Sequence, residues 1–410
     1  MQTKMAPVNQ LPSPPEAIKL IGEAFSFVPE TEMIAIGEAN GRTLAEDIKA
    51  EEYLPVFNRS SMDGYSVIAA DTKGASEENP VVLKLAGEVL MGDAADKPLE
   101  PGTCIYTPTG AAVPEGTESV VMVEETKNNG DGTISFLKEI APNKNVILKG
   151  EDVYPGKVVL EKGRILTVCD IGALAVLGRT EVCVAKKPLV GILSTGDELI
   201  DISESPLPGQ VRDVNTLTLT LLVEELGAIA HPYGIVKDEE EALFAKVKAA
   251  IEECDMVLIS GGSSMGEKDA TEKIIDELGT LILHGIRMKP GKPTIVGDVG
   301  GKPVLGVPGN PISAYFVTRV FVKKILHQMM GAKSEELFVD ALLTKDMTVN
   351  KQRSQFNFAK LHAEDWVCYA EPIKMQSGLM TSIAGSDAFF ATMLGTGDRK
   401  DGDKVTVHPL

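Results

Sequence analysis

MVLISGGSSMGEKD, residues 256–269, is the stretch whose reading decides the fold. Its first half, Met256 to Ser260, is a short apolar run of the kind buried on both faces of a parallel sheet. Gly261, Gly262, Ser263, Ser264, Met265 and Gly266 follow, too rich in glycine and serine to extend a strand. Loops leaving the carboxyl ends of parallel strands are where ligands bind, and glycine there lets backbone N–H groups form a nest for an anion. Glu267 and Asp269 set carboxylates beside that loop, which points to a metal ion or a proton transfer, not to phosphate alone. Taken by itself, the stretch is better explained as a glycine turn before a helix capped by Asp269. The surrounding chain changes that balance.

Outward from this stretch, strands and helices alternate. LVGILSTG (189–196) is a buried strand with its loop, and residues 215–226 have the spacing of an amphipathic helix stopped by Gly227. Residues 228–236 form a second strand. Residues 238–253 read as a helix with Asp238 as N-cap and Glu239 to Glu241 in a favourable first turn. Residues 256–260 are the third strand, with a helix over 271–278, a further strand over 303–307 and a closing helix over 311–330. This is a doubly wound α/β domain with a mainly parallel sheet, placed at 187–334.

On the N-terminal side, residues 14–28 have helical spacing and residues 37–50 read as a second helix. Turn chemistry at Asn58 to Ser61 and Asp63-Gly64 precedes a strand over 65–69. Short strands separated by Gly, Pro and Asp follow to residue 140, so 55–148 is a β-rich module. A compact helix over 167–177 and a strand over 180–185 return the chain to its beginning. The β-rich module is therefore an insertion between the two halves of a linking part, 1–54 and 149–186. Residues 335–410 carry short β segments and little helix, as in a small β-barrel.

The 410 residues suffice for two to four domains. No apolar run approaches the roughly 20 residues of a membrane span, and the N-terminus lacks a signal-peptide core, so the expected location is cytoplasmic. Five cysteines, odd in number and without a C-x-x-C spacing, indicate neither a disulfide framework nor a zinc cage. A net charge of −19 argues against nucleic acid as a partner. An anionic ligand then requires a local basic cluster.

Such a cluster exists. Arg287, Lys289 and Lys292 lie within RMKPGKP, stiffened by Pro290 and Pro293, and Pro308 and Pro311 bracket a helix start whose N-terminus favours negative charge. STGDEL (194–199) ends the first strand with Ser194, Thr195, Gly196, Asp197 and Glu198. Two strand ends thus bring Asp197, Glu198, Glu267 and Asp269 towards one place, and such carboxylates are best tolerated beside a cation or with a raised pKa. In the β-rich module, Asp63 stands in a polar apron with Arg59, Ser60 and Ser61, and Thr109 lies on a loop between Pro108 and Pro114.

Together NRSSMDGY, YTPTGAAVP, STGDEL, SGGSSMGEKD, MKPGKP and PGNPISA resemble the molybdopterin molybdenumtransferase family, the MoeA and gephyrin E-domain group. The resemblance spans nearly the whole chain, and its α/β domain is similar to MogA-type adenylyltransferases. It implies insertion of molybdenum from molybdate into adenylylated molybdopterin with release of AMP, dependent on Mg²⁺. It also implies a homodimer with the site between subunits, and a MogA-type adenylyltransferase as a partner. By motif, Asp63, Glu198, Asp269 and Lys289 take the catalytic places. Thr109, Ser194, Thr195, Gly196, Asp238, Gly261, Gly262, Ser263, Lys292, Pro308 and Pro311 take the ligand-binding ones. Glu198, Asp269 and Glu267 are the implied metal ligands, and Asp63 is implied to come from the partner subunit.

Three departures bear on the oxyanion. Gly285 stands where many members carry a lysine, and Arg287 is expected to supply that charge. Phe358 stands where an arginine is common, and Ser377-Gly378 where serines are paired, which makes Arg353 and Ser377 the candidate oxyanion contacts. Two other readings use the same features: a pterin adenylyltransferase, and a non-catalytic scaffold of the gephyrin kind.

Overall fold

The structure, a computed structural model, describes residues 5–261, 270–333, 337–375 and 378–410. The chain divides into two compact units: Met1–Glu46, Lys162–Leu174 and Arg179–Leu410 form one, Asp47–Glu161 with Ala175–Gly178 the other.

The first unit contains the α/β domain. Its six-stranded sheet runs in the order Ile229–Val236, Leu189–Thr195, Met256–Ser260, Lys302–Val307, Ile295–Val299, Thr280–His284. The first four strands are parallel and the last two antiparallel. All five residues of Met256–Ser260 are buried, and successive side chains serve two different cores. Met256 and Leu258 join Val190, Ile192 and Leu305 on one face; Val257 and Ile259 join Leu193 and Val304 on the other. A strand covered on both sides favours apolar residues on both faces, which is why Met256 to Ile259 read as they do, with the buried Ser260 at the loop end. The helices Glu240–Glu253 and Ala270–Leu278 cover one face. Val214–Glu225 and the long helix that begins at Pro311 cover the other. That long helix continues through a π-helical turn at Thr318–Val322 to Met329.

Three details differ from expectation. The helix Val214–Glu225 is not amphipathic: Leu217 and Leu221 are about half exposed while Leu219, Leu222 and Val223 are buried. The helix Glu240–Glu253 has Glu239, not Asp238, at its N-cap, because the Asp238 carboxylate is drawn to Thr195. Residues 37–50 are not a helix. They form a 3₁₀ turn at Ile36–Glu38, bridges from Thr43 to Ile165 and Leu44 to Val184, and a short strand Ile48–Lys49. The Leu44 and Ala45 N–H groups are taken by the Arg164 and Cys183 carbonyls at 2.8 and 2.9 Å, and Gly41 at φ 76° breaks helical continuity.

Also in the first unit, Thr31–Ala35 pairs antiparallel with Glu181–Ala185, the return of the chain expected from the inserted module. The C-terminal module is a closed five-stranded barrel. Ser354–Glu364, Val367–Pro372, Val339–Leu343, Lys404–Pro409 and Ala388–Thr392 pair in turn, and the last pairs back with the first. Met288–Lys289 adds in parallel to Ser354 and Gln355 and so ties the KPGKP segment to the barrel.

The second unit is built on another six-stranded sheet: Ser119–Met122, Gly64–Val67, Thr103–Thr107, Val81–Glu88, Thr133–Phe136, Thr126–Asn128. Tyr65, Val67, Leu83, Cys104, Ile134 and Phe136 fill its core. Burial pushes the Cys104 thiol up to about 12, which makes it an inert core residue. Among the described residues, no helix is long and apolar enough to cross a membrane.

Candidate active site

At the carboxyl ends of the parallel strands, Ser194, Ser260 and Val307 stand side by side in register. Each begins a loop, and the loops touch. Gly261 has a φ of 106°, and a Cβ there would lie 2.2 Å from the Thr195 carbonyl oxygen. A Cβ on Gly309 would lie 3.4 Å from Gly261 Cα. Gly196 allows the Glu198 carboxylate to fold back, since a Cβ at 196 would meet Glu198 Oε2 at 2.7 Å. Glycine is required at 261, where the Thr195 backbone occupies the space a Cβ would take, whereas a Cβ at 309 would make an ordinary contact.

The polar groups of this end are wired together. Thr195 Oγ1 donates to Asp238, whose own N–H donates to Asp197 Oδ1 at 3.3 Å. Ser194 is fully buried, and its hydroxyl donates to Asp213 Oδ1 at 2.9 Å, so its side chain is committed internally. Asp213 caps the helix Val214–Glu225 through the Thr216 N–H at 3.1 Å and accepts from Thr216 Oγ1 at 2.5 Å. Asn215 donates to Ser260 Oγ and to the Gly309 carbonyl. Asp213 and Asn215 escaped the sequence reading; their trace in the sequence is VRDVN, a capping aspartate and an asparagine opening a helix.

Glu198 is exposed, and among the described residues its carboxylate accepts no hydrogen bond. Pro308 is buried, and Asn310 caps the long helix with its side chain on the Ser313 N–H at 3.4 Å, leaving Pro311 at the first helical position. Beside that helix start lies a cavity of about 1110 Å³ bordered by Lys289, Lys292, Arg353, Lys360, Lys374 and Phe356, with Ile312 and Ser313 of the helix in its wall. Two carboxylates also border it, and each has its own lysine: Glu371 pairs with Lys345, Asp346 with Lys400. Among the described residues, Lys289, Lys292, Arg353 and Lys374 make no ion pair. Cations without a carboxylate partner around a cavity, in a chain of net charge −19, give that cavity a local potential that favours an anion.

Arg287 is not part of that cavity. Its Nε donates to the Gln352 carbonyl at 2.7 Å and its charge lies near Glu16, because the turn at 352 and the first helix sit against that side of the strand. The expected substitute for the missing lysine is thus misplaced; Arg353 stands at the cavity instead.

In the second unit, Asp63 and Thr109 belong together: the Thr109 N–H donates to Asp63 Oδ1 at 2.8 Å, and both side chains are exposed. The loop is pinned by Gly64, where a Cβ would lie 2.1 Å from the Val121 carbonyl oxygen. The structure thus assembles Ser194, Thr195, Gly196, Asp197, Glu198, Asp238, Gly261, Pro308 and Pro311 in one neighbourhood of the first unit. Lys289 and Lys292 lie at the adjoining cavity, and Asp63 and Thr109 in the other unit. Gly262, Ser263, Glu267, Asp269 and Ser377 lie outside the described residues. Among the described residues, no three His, Cys, Asp or Glu side chains converge as a metal site.

A doubly wound domain with clustered carboxylates at its strand ends, a basic cavity beside the helix that starts at Pro311, an inserted β module and a terminal barrel define a multidomain protein of α/β type. Residues 13–178 match the MoeA N-terminal region (domain I and II). Residues 191–328 match a probable molybdopterin binding domain, and 340–410 the MoeA C-terminal region (domain IV). The molybdopterin molybdenumtransferase of Bacillus subtilis is 34% identical over 384 residues, covering 92% of this chain and 89% of its own. That of Haemophilus influenzae is 32% identical over 392 residues, covering 95% and 96%. A crystal structure of the molybdopterin biosynthesis MoeA protein from Pyrococcus horikoshii superposes with a TM-score of 0.86 at 34% identity, covering 98% of this chain and 100% of that one. The chain belongs to the MoeA family of molybdenum cofactor biosynthesis proteins.

Proposed function

We propose that this protein is a molybdopterin molybdenumtransferase: it takes adenylylated molybdopterin and molybdate, releases AMP, and yields the molybdenum cofactor. The supporting observation is the juxtaposition of two opposite electrostatic walls. A carboxylate wall of Asp197, Glu198 and Asp238 lies at the strand ends, and an unpaired basic cavity lies beside the same helix start. A dianionic oxyanion would suit the second, and the phosphoanhydride together with a divalent cation would suit the first.

Lys289, Lys292 and Arg353 hold the oxyanion by charge, while the loop at Gly261 presents backbone to the nucleotide-capped pterin. The Thr195–Asp238–Asp197 chain of hydrogen bonds keeps the acidic wall in one arrangement. Hydrolysis of the phosphoanhydride is then a matter of position and electrostatics. Mg²⁺ would suit this place: Glu198 is exposed and, among the described residues, its carboxylate accepts no hydrogen bond, and this ion is often held by one or two carboxylates with substrate phosphates. Glu198 would hold it with Asp269 and Glu267. Bound there, Mg²⁺ neutralises charge on the phosphoanhydride oxygens.

The proposal includes a homodimer in which Asp63 and Thr109 reach the site of the partner subunit. Their exposed, mutually bonded arrangement supports this, since Asp63 is oriented by Thr109 yet left open. A MogA-type adenylyltransferase is the proposed supplier of substrate and the cytoplasm the proposed location.

The test is molybdate-dependent AMP release from adenylylated molybdopterin, with and without chelator. AMP release that requires molybdate and a divalent cation supports the reading. Formation of adenylylated product from ATP and bare molybdopterin would overturn it in favour of an adenylyltransferase. Absence of both reactions would leave the scaffold. The shared site is tested by mixing Asp63→Asn with Glu198→Gln chains. Activity in the mixed dimer, absent from either parent, is expected; a dead mixture that forms dimers would refute it.

A further inference from the structure

Asn215 opens the helix Val214–Glu225 and is 6% exposed. Its side-chain amide reaches two different loops. Nδ2 donates to Ser260 Oγ at 2.7 Å and to the Gly309 carbonyl at 2.8 Å. A carbonyl oxygen can only accept, so the amide orientation is fixed: turning it over would set Oδ1 against the Gly309 oxygen. Both amide protons are thereby used, and among the described residues the buried Oδ1 has no donor. A single side chain therefore spans the end of the central strand and the PGNP turn, the two segments that meet at Gly261.

The consequence falls on Ser260. It is 2% exposed and immediately precedes Gly261. Asn215 supplies a proton to one of its lone pairs, and among the described residues no acceptor takes the serine's own proton. Ser194, its neighbour in register, differs: that hydroxyl is already donated to Asp213. Of these two hydroxyls, Ser260 is the one whose proton, among the described residues, is left for a ligand.

We propose that Asn215 is a positioning residue that locks the Ser260 and Gly309 loops in one register and leaves the Ser260 hydroxyl as a hydrogen-bond donor to an anionic oxygen of the pterin nucleotide. The inference rests on the proposed function for its substrate, and not on which step that substrate undergoes.

The experiment uses the full-length protein at a temperature where circular dichroism shows each variant folded. Binding of adenylylated molybdopterin is measured calorimetrically, and kcat and KM for molybdate in the AMP-release assay. Asn215→Ala should lower kcat about 100-fold, the order of loss for a displacement near 1 Å, with the molybdate KM within about 3-fold because the basic cavity is untouched. Ser260→Ala should weaken pterin-nucleotide binding about 10-fold, the effect of one lost hydrogen bond to a charged group. In Asn215→Asp the introduced carboxylate faces the Gly309 carbonyl without a proton. Activity should be low at neutral pH and recover on acidification, when the protonated carboxyl can again donate. The parent should show no such acid recovery.

Parental kcat in folded Asn215→Ala, equal binding in Ser260→Ala, or a pH-independent defect in Asn215→Asp would overturn the proposal. If the parent binds the pterin nucleotide but releases no AMP with molybdate, the proposed reaction fails; the roughly 10-fold loss of binding expected in Ser260→Ala then still decides the present inference.

Discussion

Replacing Gly261 with alanine tests the geometry of the strand-end loops most directly. The added Cβ would stand 2.2 Å from the Thr195 carbonyl oxygen and 3.2 Å from the Thr195 carbonyl carbon, both backbone atoms that no rotamer change can move. Relief requires the two loops to part by roughly 1 Å to reach ordinary contact. The backbone at 261 also has φ 106°, where an L side chain is strained. Strain of ~1–2 kcal/mol and overpacking of ~1–3 kcal/mol give about 3 kcal/mol in all. For a domain of this size that is a fall of roughly 6–12 °C in its melting midpoint. The same displacement separates Thr195, and with it Asp238, from the loop that faces the substrate, so kcat/KM should fall on the order of 100-fold at temperatures where the variant is folded. Gly309→Ala is the control: its Cβ would meet Gly261 Cα at 3.4 Å, an ordinary contact, and its stability should change by no more than about 0.5 kcal/mol. Scanning calorimetry and steady-state AMP release provide the two readouts. Equal melting of the two variants, or parental kcat/KM in folded Gly261→Ala, would refute the claim that backbone contact at 261 holds the loops.

Asp170 should stabilise the first unit at neutral pH. Burial works to raise its pKa, but the Arg164 guanidinium and the Thr167 N–H and hydroxyl more than offset this and hold the carboxyl below its usual range. A depressed folded pKa contributes stability above about pH 4, the unfolded value, and loses it as pH falls through the lower folded value. Asp170→Ala should therefore cost about 2 kcal/mol at pH 7 by chemical denaturation, with the gap to the parent narrowing in acid; a pH-independent gap would exclude this account. At the basic cavity, Arg353→Ala should raise the molybdate KM about 10-fold, the loss of one charged contact, and Arg287→Ala should leave it within about 3-fold. The opposite ranking would mean that Arg287 leaves Gln352 when the oxyanion binds.

What could be read from the sequence follows from the range of the forces involved. Met256–Ser260 is legible because burial on both faces favours an apolar residue at successive positions, a rule that the four consecutive letters Met256 to Ile259 satisfy before Ser260 opens the loop. Ile295–Val299 and Thr280–His284 escaped notice because their antiparallel pairing is specified by partners, not by a local pattern. The same cause undid the helix expected over 37–50, whose backbone donors are claimed by residues more than 100 positions away. Within the site, glycines, clustered carboxylates and proline-flanked lysines were visible because each type is unusual where it stands. Asp238 was found with the wrong local role: an acid before a helix looks like a cap, and only the fold shows Thr195 holding it. Arg287 failed in the reverse direction. Its charge was legible, but the side chain's direction depends on Gln352 and Glu16, distant in sequence and silent about their position. Charge can thus be counted from a sequence, whereas the place where a long cationic side chain delivers it is a property of packing. The anion site proposed for this protein is defined less by how many cations surround KPGKP than by which of them, among the described residues, remain without a carboxylate.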